Sequence, residues 1–207
     1  MPDLDDPEAR KRNYISGDGD WIDFEATVST AEDQVALAPG YLQREWVEGG
    51  RRHFHYRMDV PILNFYAFLS ARYAVRRETH GGVQLEIYHH PEHAYALEAM
   101  LAASRDGLDY FSREFSRYQF RQYRILEFPR YQLFAQAFPN TIPYSETIGF
   151  VFNHAASPEK IDMVTYVTAH EIAHQWWGHQ LISADQPGCT FLVEPPAQYS
   201  ALPEMEQ

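Results

Sequence analysis

The stretch His170-Glu171-Ile172-Ala173-His174 constrains this chain more than any other. On a helix, its two histidines stand at i and i+4, one turn apart on the same face, so both imidazoles can reach a single ion. The usual Zn–N bond to such a ring is about 2.0–2.1 Å. Glu171 follows the first histidine by one position and points roughly 100° away around the helix. That offset leaves it poorly placed to ligate beside the two rings and well placed to take a proton from a water held by the ion. A hydrolytic zinc site needs this division of labour, in which the ion acidifies water and polarises a carbonyl while a carboxylate moves the proton. The surrounding residues predict the helix: Ser157-Pro158-Glu159 reads as its start. Val164, Val167, His170, Glu171, His174 and Trp177 recur at steps of mostly three or four, and Gly178 offers a stop.

A third protein ligand is expected downstream. Thr190-Phe191-Leu192-Val193-Glu194 is an apolar run that ends on an acid, with nineteen residues between His174 and Glu194 and with Asp185 as the rival ligand. Two histidines, one glutamate and an open fourth position make the catalytic type of zinc site, with one Zn²⁺ per chain. Cys189 lies between the ligands and reads as a bystander. Being the only cysteine, it permits no internal disulfide.

His170 to Gly178, H-E-I-A-H-Q-W-W-G, resembles the signature helix of the aminopeptidase N family of gluzincins, which includes leukotriene hydrolase. In that family a glutamate follows the second histidine within a segment N-E-G-F-A-S-Y. Glu194 comes one residue later than in that pattern, and Ala197 and Tyr199 match its A and Y. The family's G-A-M-E-N strand corresponds to Pro143-Tyr144-Ser145-Glu146-Thr147, where only the glutamate is kept. The resemblance implies that Glu146 binds the α-amine of a peptide substrate, with Ser145 and Tyr144 as its neighbours at the substrate. It also implies a tyrosine that stabilises the oxyanion, far beyond the zinc site. The chain stops thirteen residues after Glu194, so a C-terminally truncated catalytic domain is expected, with Tyr144 as the stand-in to consider. The wording I-P-Y-S-E and H-Q-W-W-G-H-Q is similar to peptidase-like extracytoplasmic domains of bacterial proteins that also carry ABC-transporter-type permease segments. That likeness implies a place on the extracytoplasmic face of a bacterial membrane, with permease segments as partners outside this chain. It also opens a second reading, a zinc-containing binding or sensing domain without turnover.

The rest of the chain predicts an α+β fold. Residues 1–20 read as a flexible lead-in. Ile22, Phe24, Ala26 and Val28 alternate with polar residues as a half-buried strand. Gly49-Gly50 and Gly81-Gly82 mark two hairpins, the second joining Phe68–Val75 to the strand around Val83–Ile87. This gives a β-rich unit at 21–88, resembling the incomplete end of an antiparallel β domain. Residues 89–207 then follow as a thermolysin-like zinc catalytic domain. There Leu97, Met100, Leu101, Leu108, Phe111 and Phe115 form a helical stripe. Tyr123–Phe128 is a strand, and Thr141–Phe152 an edge strand carrying Glu146, to which a substrate peptide could add by β-augmentation.

Several further residues are read more plainly. His89, His90 and His93 are expected as exposed imidazoles, His53 and His55 as neighbours on one strand face, and Trp176 and Trp177 as packing. His179 is expected to line the site or cap the helix, and Gln198 to hold a ligand from behind. A net charge of −12 argues against nucleic-acid binding. No apolar run approaches the length of a membrane span.

Overall fold

The computed structural model describes residues 5–8, 11, 19–151, 162–184 and 186–201. The expected helix start at Ser157-Pro158-Glu159, the rival ligand Asp185 and most of the lead-in lie outside these. The alternating front section forms β1 (Trp21–Ile22), β2 (Glu25–Ala31), β3 (Val35–Leu37), β4 (Tyr41–Glu48), β5 (Arg51–Arg57), β6 (Ile62–Leu63), β7 (Leu69–Ala71), β8 (Ala74–His80) and β9 (Val83–His89). Then come α1 (Leu97–Glu114), β10 (Gln122–Phe128), β11 (Thr141–Ser145), α2 (Met163–Ala173) and α3 (Glu194–Ala201). No helix of the described residues is long and apolar enough to cross a membrane.

Both glycine pairs turn hairpins as expected. Gly49 and Gly50 have φ of 58° and 72°, Gly81 and Gly82 of 56° and 85°. Two consecutive left-handed residues in a two-residue loop match the right-handed twist of the strands they join. The first hairpin completes a sheet of order β2-β5-β4. The second does something the sequence did not predict: β9 pairs in parallel with β10, giving a four-stranded sheet of order β11-β10-β9-β8. An expected boundary between residues 88 and 89 therefore cuts through this sheet. The second hairpin also starts later than expected, because Leu69–Ala71 pairs instead with β3.

Every residue of β10 is buried, as befits an interior strand. Its polar residues tie the two sheets together. Arg124, 1% exposed, donates to the carbonyl of Ala38 at 2.7 Å and to Thr141 Oγ1 at 2.8 Å. Gln122 donates to the carbonyl of Gly40. Gly40 has φ of 95°, and a Cβ there would meet the Arg57 backbone at 2.7 Å, so no side chain fits.

β11 ends one residue before Glu146, and Glu146–Phe150 coils into a single π-helical turn, so the expected edge strand is shorter than Thr141–Phe152. The chain also covers its own edge. Ser145 N–H donates to Phe134 O and Gln136 N–H to Pro143 O, both at 3.0 Å, while Phe138 and Thr141 exchange bonds around a Pro139-Asn140 turn. Pro143 faces this outer side, where its missing N–H costs no bond to β10. A substrate strand cannot add along β11 without displacing residues 134–138.

Candidate metal centre

Helix α2 starts at a cap that the sequence reading missed. Asp162 accepts from the N–H groups of Val164 and Thr165 at 3.1 and 3.2 Å, satisfying orphan donors of the first turn. The buried residues of α2 then seat it against α1, where Trp176 stacks on Phe111 with centroids 5.1 Å apart and donates to Ser116 O at 2.8 Å. Trp176 and Trp177 therefore pack, as expected. After Ala173 the helix gives way to turns, and Gly178, with φ of 120°, redirects the chain.

Two glutamine contacts fix the end of α2 to the tip of the β11 hairpin. Gln175, fully buried, accepts from Asn140 N–H and donates to Phe138 O, each at 2.9 Å. His179, also buried, donates from Nε2 to Ala137 O at 3.0 Å. It does not cap the helix. Burial first of all lowers its pKa, to about 4, with the Ala137 carbonyl opposing.

Helix α3 brings in the third donor. Ala197 and Ala201 are fully buried, and Trp177 Nε1 donates to Ser200 Oγ at 3.0 Å, tying α3 to the turns after α2. Glu194 is its first residue, so Pro195 and Pro196 fall in the first turn, where the absent N–H groups have no helical partner to lose. Gln198, one turn after Glu194, is exposed.

These elements bring three donors to one point. His170 Nε2 and His174 Nε2 are 3.1 Å apart, and Glu194 Oε2 lies 3.6 and 3.5 Å from them. Donors about 2.05 Å from one tetrahedral zinc ion stand roughly 3.3 Å from each other, so the triangle has the size the ion requires. Protonation fits as well. His174 Nδ1–H donates to Trp177 O at 3.0 Å, which leaves Nε2 with its lone pair facing the cluster. Burial by itself lowers the pKa of His174, but the Glu194 and Glu171 carboxylates and the Trp177 carbonyl outweigh it, and the net shift is upward.

Glu171 is 6% exposed, and its Oε2 is buried without a hydrogen-bond partner. Burial raises its pKa, opposed by His174 and His170. A carboxyl moved up toward neutrality beside a ligand cluster suits a proton acceptor from water.

The remaining expected site residues separate. Tyr144 is fully buried, edge-to-face with Phe150, and Gly149 has no Cβ because one would sit 2.5 Å from the Tyr144 ring. Ser145 is fully buried and donates to Gln132 O. Neither side chain is exposed to a substrate, so Ser145 is corrected to a packing residue, while the Tyr144 hydroxyl is buried without a hydrogen-bond partner, close to Thr168 and Glu171. Glu146 does face a cavity, but it gathers with His93 and Glu127 rather than with the helix histidines. His89 is buried, and His93 half-buried against Glu127, contrary to the exposed reading. His53 stacks on Trp46, and His55 pairs with Glu25. The buried Cys189 Sγ donates to Lys11 O and takes no part in the cluster.

Residues 98–207 match the model of the peptidase family M1 domain, more than half of the chain. The chain belongs to peptidase family M1. It is 27% identical over 159 residues to Endoplasmic reticulum aminopeptidase 2 of Homo sapiens, covering 75% of this chain and 16% of that protein. It is likewise 27% identical over 161 residues to Aminopeptidase M1 of Arabidopsis thaliana, covering 75% of this chain and 18% of that protein. The M1 chain described here thus spans less than a fifth of either relative. The M1 match contains α2, α3 and both histidines of the candidate centre.

Proposed function

We infer that this chain is the zinc-binding part of an M1 metallopeptidase of aminopeptidase type, with His170, His174 and Glu194 as the ligands of one Zn²⁺. The observation that carries the reading is the triangle of two Nε2 atoms and one carboxylate oxygen, 3.1 to 3.6 Å on a side, beside a buried glutamate. When bound, the ion would acidify a water and polarise the scissile carbonyl. Glu171 would be the group that accepts a proton from the attacking water and returns it to the leaving amine. Glu146 anchors the ammonium of the substrate's first residue, a role supported by its match to the family's glutamate and by its place on an open pocket. The order of helix, strand, edge strand and metal helix supports a thermolysin-like arrangement. The likeness to transporter-linked proteins is the basis for placing the chain at an extracytoplasmic membrane face, as part of a larger protein. Fusion of a topology reporter to the full-length protein tests that placement. The retained Glu171, buried beside the two histidines, favours turnover over a sensing domain without it.

The test is peptide hydrolysis by the wild type and by Glu171→Gln at equal zinc content. Loss of about 10²- to 10⁴-fold in rate is expected for removal of a general base. Equal rates would end the assignment of Glu171. Glu146→Gln should slow cleavage of free peptides and leave N-blocked ones unchanged; equal effects on both would remove it from the amine site.

A further inference from the structure

The geometry points to a second divalent-metal site, formed by His93, Glu127 and Glu146. Each contributes one ligand atom, and the three atoms lie within 4.8 Å of one another. Glu127 is only 5% exposed at the end of β10. Its Oε2 accepts from His90 N–H at 2.6 Å and its Oε1 is bonded to His93 Nδ1. Glu146, just past β11, is fixed by Arg130 N–H at 3.1 Å. Glu127 and Glu146 share the wall of a cavity of about 410 Å³ with Tyr73, His90 and Phe128.

Charge makes the site ask for a cation. Among the described residues no lysine or arginine side chain forms an ion pair with Glu127 or Glu146, and Arg72 on the cavity wall is engaged by Asp33. Two carboxylates on one cavity wall bring up to two negative charges with no lysine or arginine paired to them among the described residues. His93 alone supplies at most one unit, whereas a dication neutralises both. The ion would replace the proton held between His93 Nδ1 and Glu127 Oε1, which is released or moves to Nε2.

The donor types select the kind of ion. One imidazole with two carboxylates and open positions for water suits Mn²⁺, or Zn²⁺ at higher coordination number. An ion there would occupy the same carboxylate that the substrate's ammonium uses, so the two are alternative occupants of Glu146. The inference rests on the position of Glu146 and not on the zinc reading of α2.

The experiment is a Mn²⁺ titration followed by electron paramagnetic resonance, on the chain supplied with one equivalent of zinc. The wild type should bind one Mn²⁺. His93→Ala and the near-isosteric Glu146→Gln should bind it about tenfold more weakly or worse, with zinc content unchanged. Glu194→Ala should lose zinc and keep Mn²⁺. Absence of Mn²⁺ binding in the folded wild type, or binding indifferent to both His93→Ala and Glu146→Gln, would overturn the site. If zinc fails to load while the manganese pattern holds, the function proposed for α2 falls and this site stands.

Discussion

The helix cluster His170–His174–Glu194 and the pocket cluster His93–Glu127–Glu146 use the same donor types and are built in opposite ways. In the first, two of three donors sit one turn apart at the end of α2, His174 being its C-cap, and the third is delivered by a helix packed on it. In the second, the donors come from the loop after β9, the end of β10 and the turn after β11, gathered by the sheet. The spacing of the first is set locally, so it is tight. The second depends on strand register and turn geometry. The lesson is that the first cluster stands or falls with one helix and its packing partner, while the second stands or falls with the sheet.

This contrast can be broken by perturbing α2 and reading both clusters. The largest effect is expected from acid. His179 has a folded-state pKa near 4 against an ordinary 6.5, so the unfolded chain takes up a proton in this window and the folded chain does not. Its contribution is complete above pH 6.5 and is lost as the pH falls toward 4, amounting to on the order of 3 kcal/mol. Urea unfolding at pH 7 and pH 4.5 should show that loss, and His179→Gln should flatten the slope. A slope unchanged by the substitution would show that other groups carry it.

Gln175→Ala comes next. It leaves Asn140 N–H and Phe138 O without their partner, costing about 2–4 kcal/mol, and should weaken zinc more than manganese. Asp162→Ala removes the cap of α2 and should cost about 1 kcal/mol, again with manganese affinity unchanged. Equal weakening of both metals in either variant would mean that the clusters are mechanically one.

Legibility in the sequence followed the same division. The His170–His174 pair, both Gly-Gly hairpins and the α1 stripe were readable, because each is a pattern within a few residues. Glu194 was readable as the acid at the end of an apolar run, and the family resemblance reinforced it. Glu127 was not, since nothing near it in sequence marks a carboxylate that will meet a histidine thirty-four residues away. Tyr144 and Ser145 look like cleft residues in the string because their neighbour Glu146 is one. Their burial comes from Phe150, Met100 and the strand-like segment 134–138 folding over β11. The extent of the four-stranded sheet was hidden for a related reason. A parallel pairing of β9 with β10 crosses a helix, and no turn residue announces it.

Zinc per chain, measured by atomic emission after dialysis on the wild type and on Glu194→Ala, tests the central assignment most directly. One zinc retained by the wild type and lost or sharply weakened in the variant is the expected result. A wild type that holds no zinc, or a variant that holds as much, would contradict a centre built from His170, His174 and Glu194.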